Sequence, residues 1–281
     1  MKVFRMILSS GNKKLDLTLP AIMGILNVTP DSFSDGGKYT QIDHAVMRAK
    51  KMVAEGATII DIGGESTRPG ANDVVLNDEL DRVIPVIERI SKEIDCWISI
   101  DTSKAKVMEA AVNAGANIIN DVRALREEGA LQVAVDANVP VCLMHMQGQP
   151  RSMQTAPEYQ DVVKEVKDFL IDCTQDYIRK GIQPDNIIVD LGFGFGKSLA
   201  HNFELLNATN AFISLGFPVL TGVSRKSMFG QLLNRDIKTR LAGSLAGAIV
   251  AMQQGSKIIR VHDVAETVDV MKVLQQINTF E

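Results

Sequence analysis

The chain has 281 residues, enough for one large barrel domain or two small domains. A single domain of that size buries roughly 75% of the surface of its unfolded chain, so its core needs neither disulfides nor a structural metal. With 46% hydrophobic residues, 23% charged residues and a net charge of −4, the composition is globular and argues against a general nucleic-acid or membrane-surface partner, so any anionic ligand needs a local basic cluster.

Cys96, Cys142 and Cys173 cannot all pair, and none lies in a C-x-x-C motif, which reads as free thiols in a reducing compartment. The N-terminal MKVFRMIL is too short and too interrupted for a secretory signal. Leu241 to Met252 is the longest stretch of small apolar residues, well below the roughly 20 residues of a membrane span. A cytoplasmic protein is expected.

In chain order, KVFRMIL and KLDL flank SSGN and predict a short β-hairpin. A pattern then recurs: a short apolar run ends in a polar residue or glycine, and a helical pattern follows. The runs are AIMGILN to Asn27, TIIDIGG to Gly63, WISID to Asp101 and NIIND to Asp121. PVCLMH to His145, NIIVD to Asp190, PVLTGVS to Ser224 and KIIRVH to His262 complete a set of eight. Such runs read as strands buried on both faces of a parallel sheet.

Helical periodicity fills the intervals. Ala45, Val46, Ala49, Met52 and Val53 form one stripe, and Leu80, Val83, Ile84 and Ile87 another. Asp161 to Ile178 is the longest amphipathic stretch, and Gly56, Gly115 and Gly255 stand where helices should stop. Eight strand–helix units predict a (β/α)₈ TIM barrel preceded by the hairpin, one domain over residues 1–281. An open doubly wound sheet is the second choice, because a barrel gathers the polar strand ends around one mouth.

Two chemical groups meet at that mouth. Asp101, Asn120 and Asp190 are acceptors suited to a flat heterocycle rich in N–H donors, although each could instead cap a helix. Arg68, Arg225, Lys226, Arg260 and His262 follow strands two, seven and eight, where TIM barrels often hold phosphate. Surface charge is the ordinary fate of such residues, but Arg260 sits inside the apolar run IIRVH. The loops Asn27 to Gly37 and Gly63 to Gly70 are rich in Gly, Ser and Pro and read as segments that close over substrate. LGFGFGKS fails the P-loop template because Leu191 stands at the first glycine position. Its glycines are read as allowing backbone close to a ligand. His145 has no partner at ligand spacing, which argues against a zinc site.

The segments MGILNVTPDSFSDGG, DIGGESTRPGA, IDTSK, IINDVR, MHMQG, GFGFGK, GVSRKSM and IIRVHDV together resemble the ordered motifs of the dihydropteroate synthase family, from about Met23 to Val264. The resemblance implies condensation of 6-hydroxymethyl-7,8-dihydropterin pyrophosphate with p-aminobenzoate. It implies that Asp101, Asn120, Asp190, Phe195, Gly222 and Lys226 bind the pterin. It assigns the pyrophosphate to Asn27, Thr67, Arg68, Arg260 and His262, with Mg²⁺ on Asn27. Phe33, Thr67, Pro69, Lys226 and Ser227 would shape the p-aminobenzoate site, for which sulfonamides compete. Asp101, Asp190, Lys226, Arg260 and His262 would carry the chemistry, in a homodimer. A pterin-dependent methyltransferase barrel would have no use for the SRKS and RVH grip, and a non-catalytic pterin-binding module would not need Asn27 with Mg²⁺. The family usually has proline after the pterin-binding aspartate. Leu191 stands there and removes the extended bias that proline would give Asp190.

Overall fold

The structure is a computed structural model and describes residues 6–29, 38–65, 74–148, 153 and 157–279. Strands β1 (Ile7–Ser10) and β2 (Lys13–Asp16) form an antiparallel hairpin, paired from Ile7 with Asp16 to Ser10 with Lys13. Eight parallel strands follow: β3 (Ala21–Asn27), β4 (Ile59–Gly63), β5 (Trp97–Asp101), β6 (Ile118–Asp121), β7 (Val141–Met144), β8 (Ile187–Asp190), β9 (Val219–Thr221) and β10 (Ile258–Val261). They close a barrel, with β10 hydrogen-bonded to β3. The predicted TIM barrel and hairpin are therefore both present.

The helices lie between and after the strands: α1 (Lys38–Ala54), α2 (Leu76–Glu93), α3 (Ala105–Ala114), α4 (Ala130–Ala137) and α5 (Val162–Arg179). The remainder are α6 (Leu199–Asn207), α7 (Asn210–Ile213), α8 (Ser227–Leu233), α9 (Leu241–Gln253) and α10 (Val264–Asn278). No helix among the described residues is long and apolar enough to cross a membrane.

Period-two alternation sorts every strand into two faces. Ile22, Ile60, Ile98, Ile119, Val141, Ile187, Val219 and Ile259 point outward and join the helices in the larger core. Met23, Ile59, Trp97, Ile118, Cys142, Ile188, Leu220 and Ile258 point inward and fill the lower barrel. Leu8, Leu15 and Leu17 join that inner cluster, so the hairpin stops the bottom of the barrel. Lys13 Nζ donates to Cys96 O at 2.7 Å and ties the hairpin to the residue before β5.

The inner core ends one to four residues below the strand ends, and above it the inward face of the strands is polar, glycine or methionine apart from Ile25. The barrel is thus a filled cylinder with an open upper cup. Leu17 is fully buried beneath it. Leu17→Ala is expected to lower stability to urea by about 2–5 kcal/mol; an unfolding midpoint equal to that of the wild type would show that the plug does not contribute to stability.

Candidate active site

Parallel register lines up the last inward residue of each strand. Asn27 pairs with Gly63, Gly63 with Asp101, and Asp101 with Asn120. Met144 stands beside Asp190 across β7 and β8. Alternation puts Arg260 on the inward face two residues above Ile258. The result is an open cleft of about 400 Å³ lined by Asp101, Asn120, Met144, Asp190, Gly222 and Arg260 from the strands. Val122, Phe193, Phe195 and Lys226 come from the loops above.

Its electrostatic centre is Arg260. Nε donates to Asp61 Oδ2 at 2.6 Å and Nη2 to Asp101 Oδ2 at 2.7 Å. Asn120 Nδ2 lies 3.3 Å from the same Asp61 oxygen. Burial raises the Asp101 carboxyl above the usual range, and the Arg260 charge opposes that rise. Burial works against the Arg260 charge as well, but Asp61 and Asp101 hold the guanidinium above its ordinary value. Sequence reasoning placed Arg260 with the anion. It also missed Asp61, which is fully buried at the inward parity of Ile59. That parity was the available signal.

Asp190 stands on the opposite wall. Burial raises its carboxyl, while the Gly192 N–H, 2.8 Å from Oδ1, and the Lys226 charge oppose the rise. Leu191 is fully buried in the outer core. The Asp190 carboxylate is held from the residue beyond Leu191, and a proline at 191 would vacate core volume. Lys226 Nζ sits 4.3 Å from the centre of the Phe195 ring, a cation–π contact. Burial draws the Lys226 ammonium down to about 8, against the pull of Asp190.

At the rim, Ser224 Oγ lies 3.0 Å from His262 Nδ1 and sets the orientation of the ring. Arg225 turns away from the cup and pairs with Asp263, Nε to Oδ2 at 2.9 Å. Ser227 is exposed on the first turn of α8. Asn27 is half-buried at the end of β3. Phe33, Thr67, Arg68 and Pro69 lie outside the described residues, as does most of each candidate closing loop. Glu65 Oε1 accepts the Val74 N–H at 3.2 Å. Glu65 also pairs with Lys104, which reaches Glu79 at 2.6 Å.

Two strand-end residues face away from the cup. Asp121, opposite in parity to Asn120, accepts the Arg123 and Leu125 N–H groups at 2.8 and 2.7 Å. His145 packs edge-on to Phe169, with ring centres 5.0 Å apart. No group of three or more His, Cys, Asp or Glu side chains suited to a metal occurs among the described residues.

A closed parallel barrel whose mouth sets buried acids and an amide against two cations is the build of an enzyme for a flat polar ring. The pterin binding enzyme family matches residues 23–262. The dihydropteroate synthase of Haemophilus influenzae is 55% identical over 270 residues, 96% of this chain and 98% of that protein. The crystal structure of the Yersinia pestis dihydropteroate synthase with a sulfonamide drug complex superposes with a TM-score of 0.93 at 49% identity, covering 98% of this chain and all of the other. The Xanthomonas albilineans dihydropteroate synthase in complex with 7,8-dihydropteroate gives 0.89 at 46% identity, covering 97% and 98%. The chain belongs to the dihydropteroate synthase family.

Asp101→Asn keeps the shape of the cup and removes one charge. It is expected to lower kcat/KM for the pterin substrate by about 100-fold or more, roughly 3 kcal/mol for a charge-assisted contact in a closed site. Steady-state kinetics within threefold of wild type would remove Asp101 from the site.

Proposed function

We propose that the cleft joins 6-hydroxymethyl-7,8-dihydropterin pyrophosphate to p-aminobenzoate, giving 7,8-dihydropteroate and pyrophosphate. The observation that carries this reading is the opposition of Asp101, Asn120 and Asp190 to Lys226 and Arg260 around one cleft. The acids and the amide accept from the N–H edge of the pterin, Lys226 donates to it, and Phe195 and Gly222 border the slot. The family membership supports the same chemistry, as does the product held by the Xanthomonas relative, which contains both halves. The sulfonamide in the Yersinia relative supports competition with p-aminobenzoate.

The bond between the pterin CH₂ and the pyrophosphate oxygen breaks, and its electron pair leaves with pyrophosphate. The ring shares the positive charge left on carbon. Asp101 and Asp190 stabilise that charge from fixed positions. Among the described residues, carboxylates take two of the five N–H donors of Arg260, and the leaving anion is assigned to its other donors beside His262. Thr67 and Arg68 are assigned to the same anion. The arylamine nitrogen then attacks the carbon and releases its proton to solvent. It is neutral near pH 7, so no strong general base is required. Phe33, Pro69 and Ser227 are assigned to the p-aminobenzoate side.

Mg²⁺ fits this donor set. Asn27 Oδ1 is a hard oxygen at the rim, 3.8 Å from where a Cβ on Gly63 would lie, whereas Asp101 Oδ2 at the same distance already accepts from Arg260. Mg²⁺ commonly takes one or two protein oxygens and completes its shell with phosphate and water. Bound at Asn27, it would neutralise charge on the pyrophosphate. The proposed setting is the cytoplasm, in keeping with the free thiols of Cys96, Cys142 and Cys173.

Incubation with both substrates and Mg²⁺, followed by chromatography, tests the reaction. Equal amounts of 7,8-dihydropteroate and pyrophosphate are expected; absence of both would refute it. The order of binding follows from the two loops. If pyrophosphate orders them, the first ligand bears the ordering cost and the second finds a formed site. Labelled p-aminobenzoate is expected to bind at least about tenfold more tightly, about 1.4 kcal/mol of coupling, once pyrophosphate, Mg²⁺ and an unreactive pterin are present. Equal affinity in both conditions would mean a preformed pocket.

A homodimer is also proposed. Helix α9 carries no charged residue, yet Leu241, Ala242 and Ala246 are exposed on it. Such a helix is normally buried. Leu232, Leu233 and Ile237 before it, and Val273 and Ile277 on neighbouring α10, extend the apolar surface. A second copy of the chain is the proposed cover. Sedimentation should give twice the chain mass, and Ala246→Glu should give the monomer; a monomeric wild type would contradict this.

A further inference from the structure

A third cation is buried just outside the cup. Lys197, in the GFGFGK segment, is 3% exposed. Its ammonium meets neutral acceptors: Gly192 O at 2.9 Å, His145 Nδ1 at 3.0 Å, Phe195 O at 3.1 Å and His145 O at 3.4 Å. An ammonium has three donors, so this shell saturates it. Burial draws the lysine down to about 7, and burial with the Lys197 charge draws His145 down to about 3. The imidazole is therefore neutral near pH 7, with its Nδ1 facing the Lys197 nitrogen.

Two of these bonds lead into the pterin cup. Gly192 accepts from Lys197 at its carbonyl, and its N–H holds Asp190 Oδ1 at 2.8 Å. Phe195 accepts from Lys197 at its carbonyl, and its ring meets Lys226. The 192–196 backbone also presses against the segment after β7. A Cβ on Gly192 would lie 1.8 Å from His145 O, and one on Gly196 2.5 Å from Gln147 O. Both residues have positive φ, +67° and +63°. Gly192 and Gly196 let two loops meet, with Lys197 as the pin between them, while Gly194 lies against Lys226 at the cup. A methionine would fill the same volume without desolvating a charge, so packing alone does not call for an ammonium here. The converging carbonyls do.

We infer that Lys197 is a positioning residue for the pterin site, fixing the 192–195 backbone so that Asp190 and Phe195 meet the ring. The inference rests on the proposed pterin reading of the cup. It assigns a role to a buried group that makes no contact with substrate in the mechanism above.

Lys197→Met tests it in the full-length enzyme. The expected result is a tenfold or greater rise in KM for the pterin substrate and in Kd for an unreactive pterin. KM for p-aminobenzoate at saturating pterin should stay within threefold. In ligand-free protein, hydrogen exchange at the Gly192 amide should accelerate at least tenfold. His145→Leu removes one acceptor and keeps the three carbonyl contacts; it should show the same split at smaller size, and it stands in if Lys197→Met does not fold. Folded Lys197→Met with pterin affinity within threefold of wild type would overturn the inference, even with a lowered Tm. Failure of the wild type itself to bind pterin, with Gly192 exchange still accelerated in the variant, would instead count against the pterin reading.

Discussion

One guanidinium organises the mouth of this barrel. Arg260 reaches from β10 across the interior to Asp61 on β4 and Asp101 on β5. The two carboxylates sit above an apolar plug and are almost wholly withdrawn from water. Either one left uncompensated there would cost several kcal/mol. Arg260 meets both with short charge-assisted bonds, and Asn120 adds a weaker contact to Asp61. The acid face of the cup can therefore exist before any ligand arrives, and the chemistry draws on that preorganisation.

The opposite wall is built differently. Asp190 is steadied by a backbone N–H, and Lys226 is held over the face of Phe195. Both depend on how the loop after β8 is laid down, and that loop is shaped by contacts on its outer side. Asn202 Oδ1 takes the Gly194 N–H at 2.7 Å and Tyr159 donates to Gly196 O at 2.8 Å. Strand positions thus set one half of the site, and loop hydrogen bonds set the other.

That division explains what the sequence made legible. Seven of the eight strands end within one residue of the predicted polar residue or glycine, because a strand buried on both faces must stay apolar until it reaches the mouth; β9 stops at Thr221, three residues before Ser224. Alternation within each run then separates Asn120 from Asp121 and Met144 from His145, and it would have identified Asp61 among the isoleucines of TIIDIGG. Counting only terminal polar residues hid this. The pairing of Arg225 with Asp263 and the burial of Lys197 were not legible. Both depend on loop paths, which periodicity does not encode, and on partners 38 and 52 residues away.

The central claim is that Arg260 and the carboxylates form one energetic unit. A double-mutant cycle on urea unfolding tests it most directly, with Asp61→Asn, Arg260→Leu and the pair. Arg260→Leu alone leaves two buried carboxylates without their cation and should lower stability by roughly 3–5 kcal/mol. The pair should lose clearly less than the sum of the single changes, with a coupling above about 1 kcal/mol. Additivity within about 0.5 kcal/mol would contradict the account.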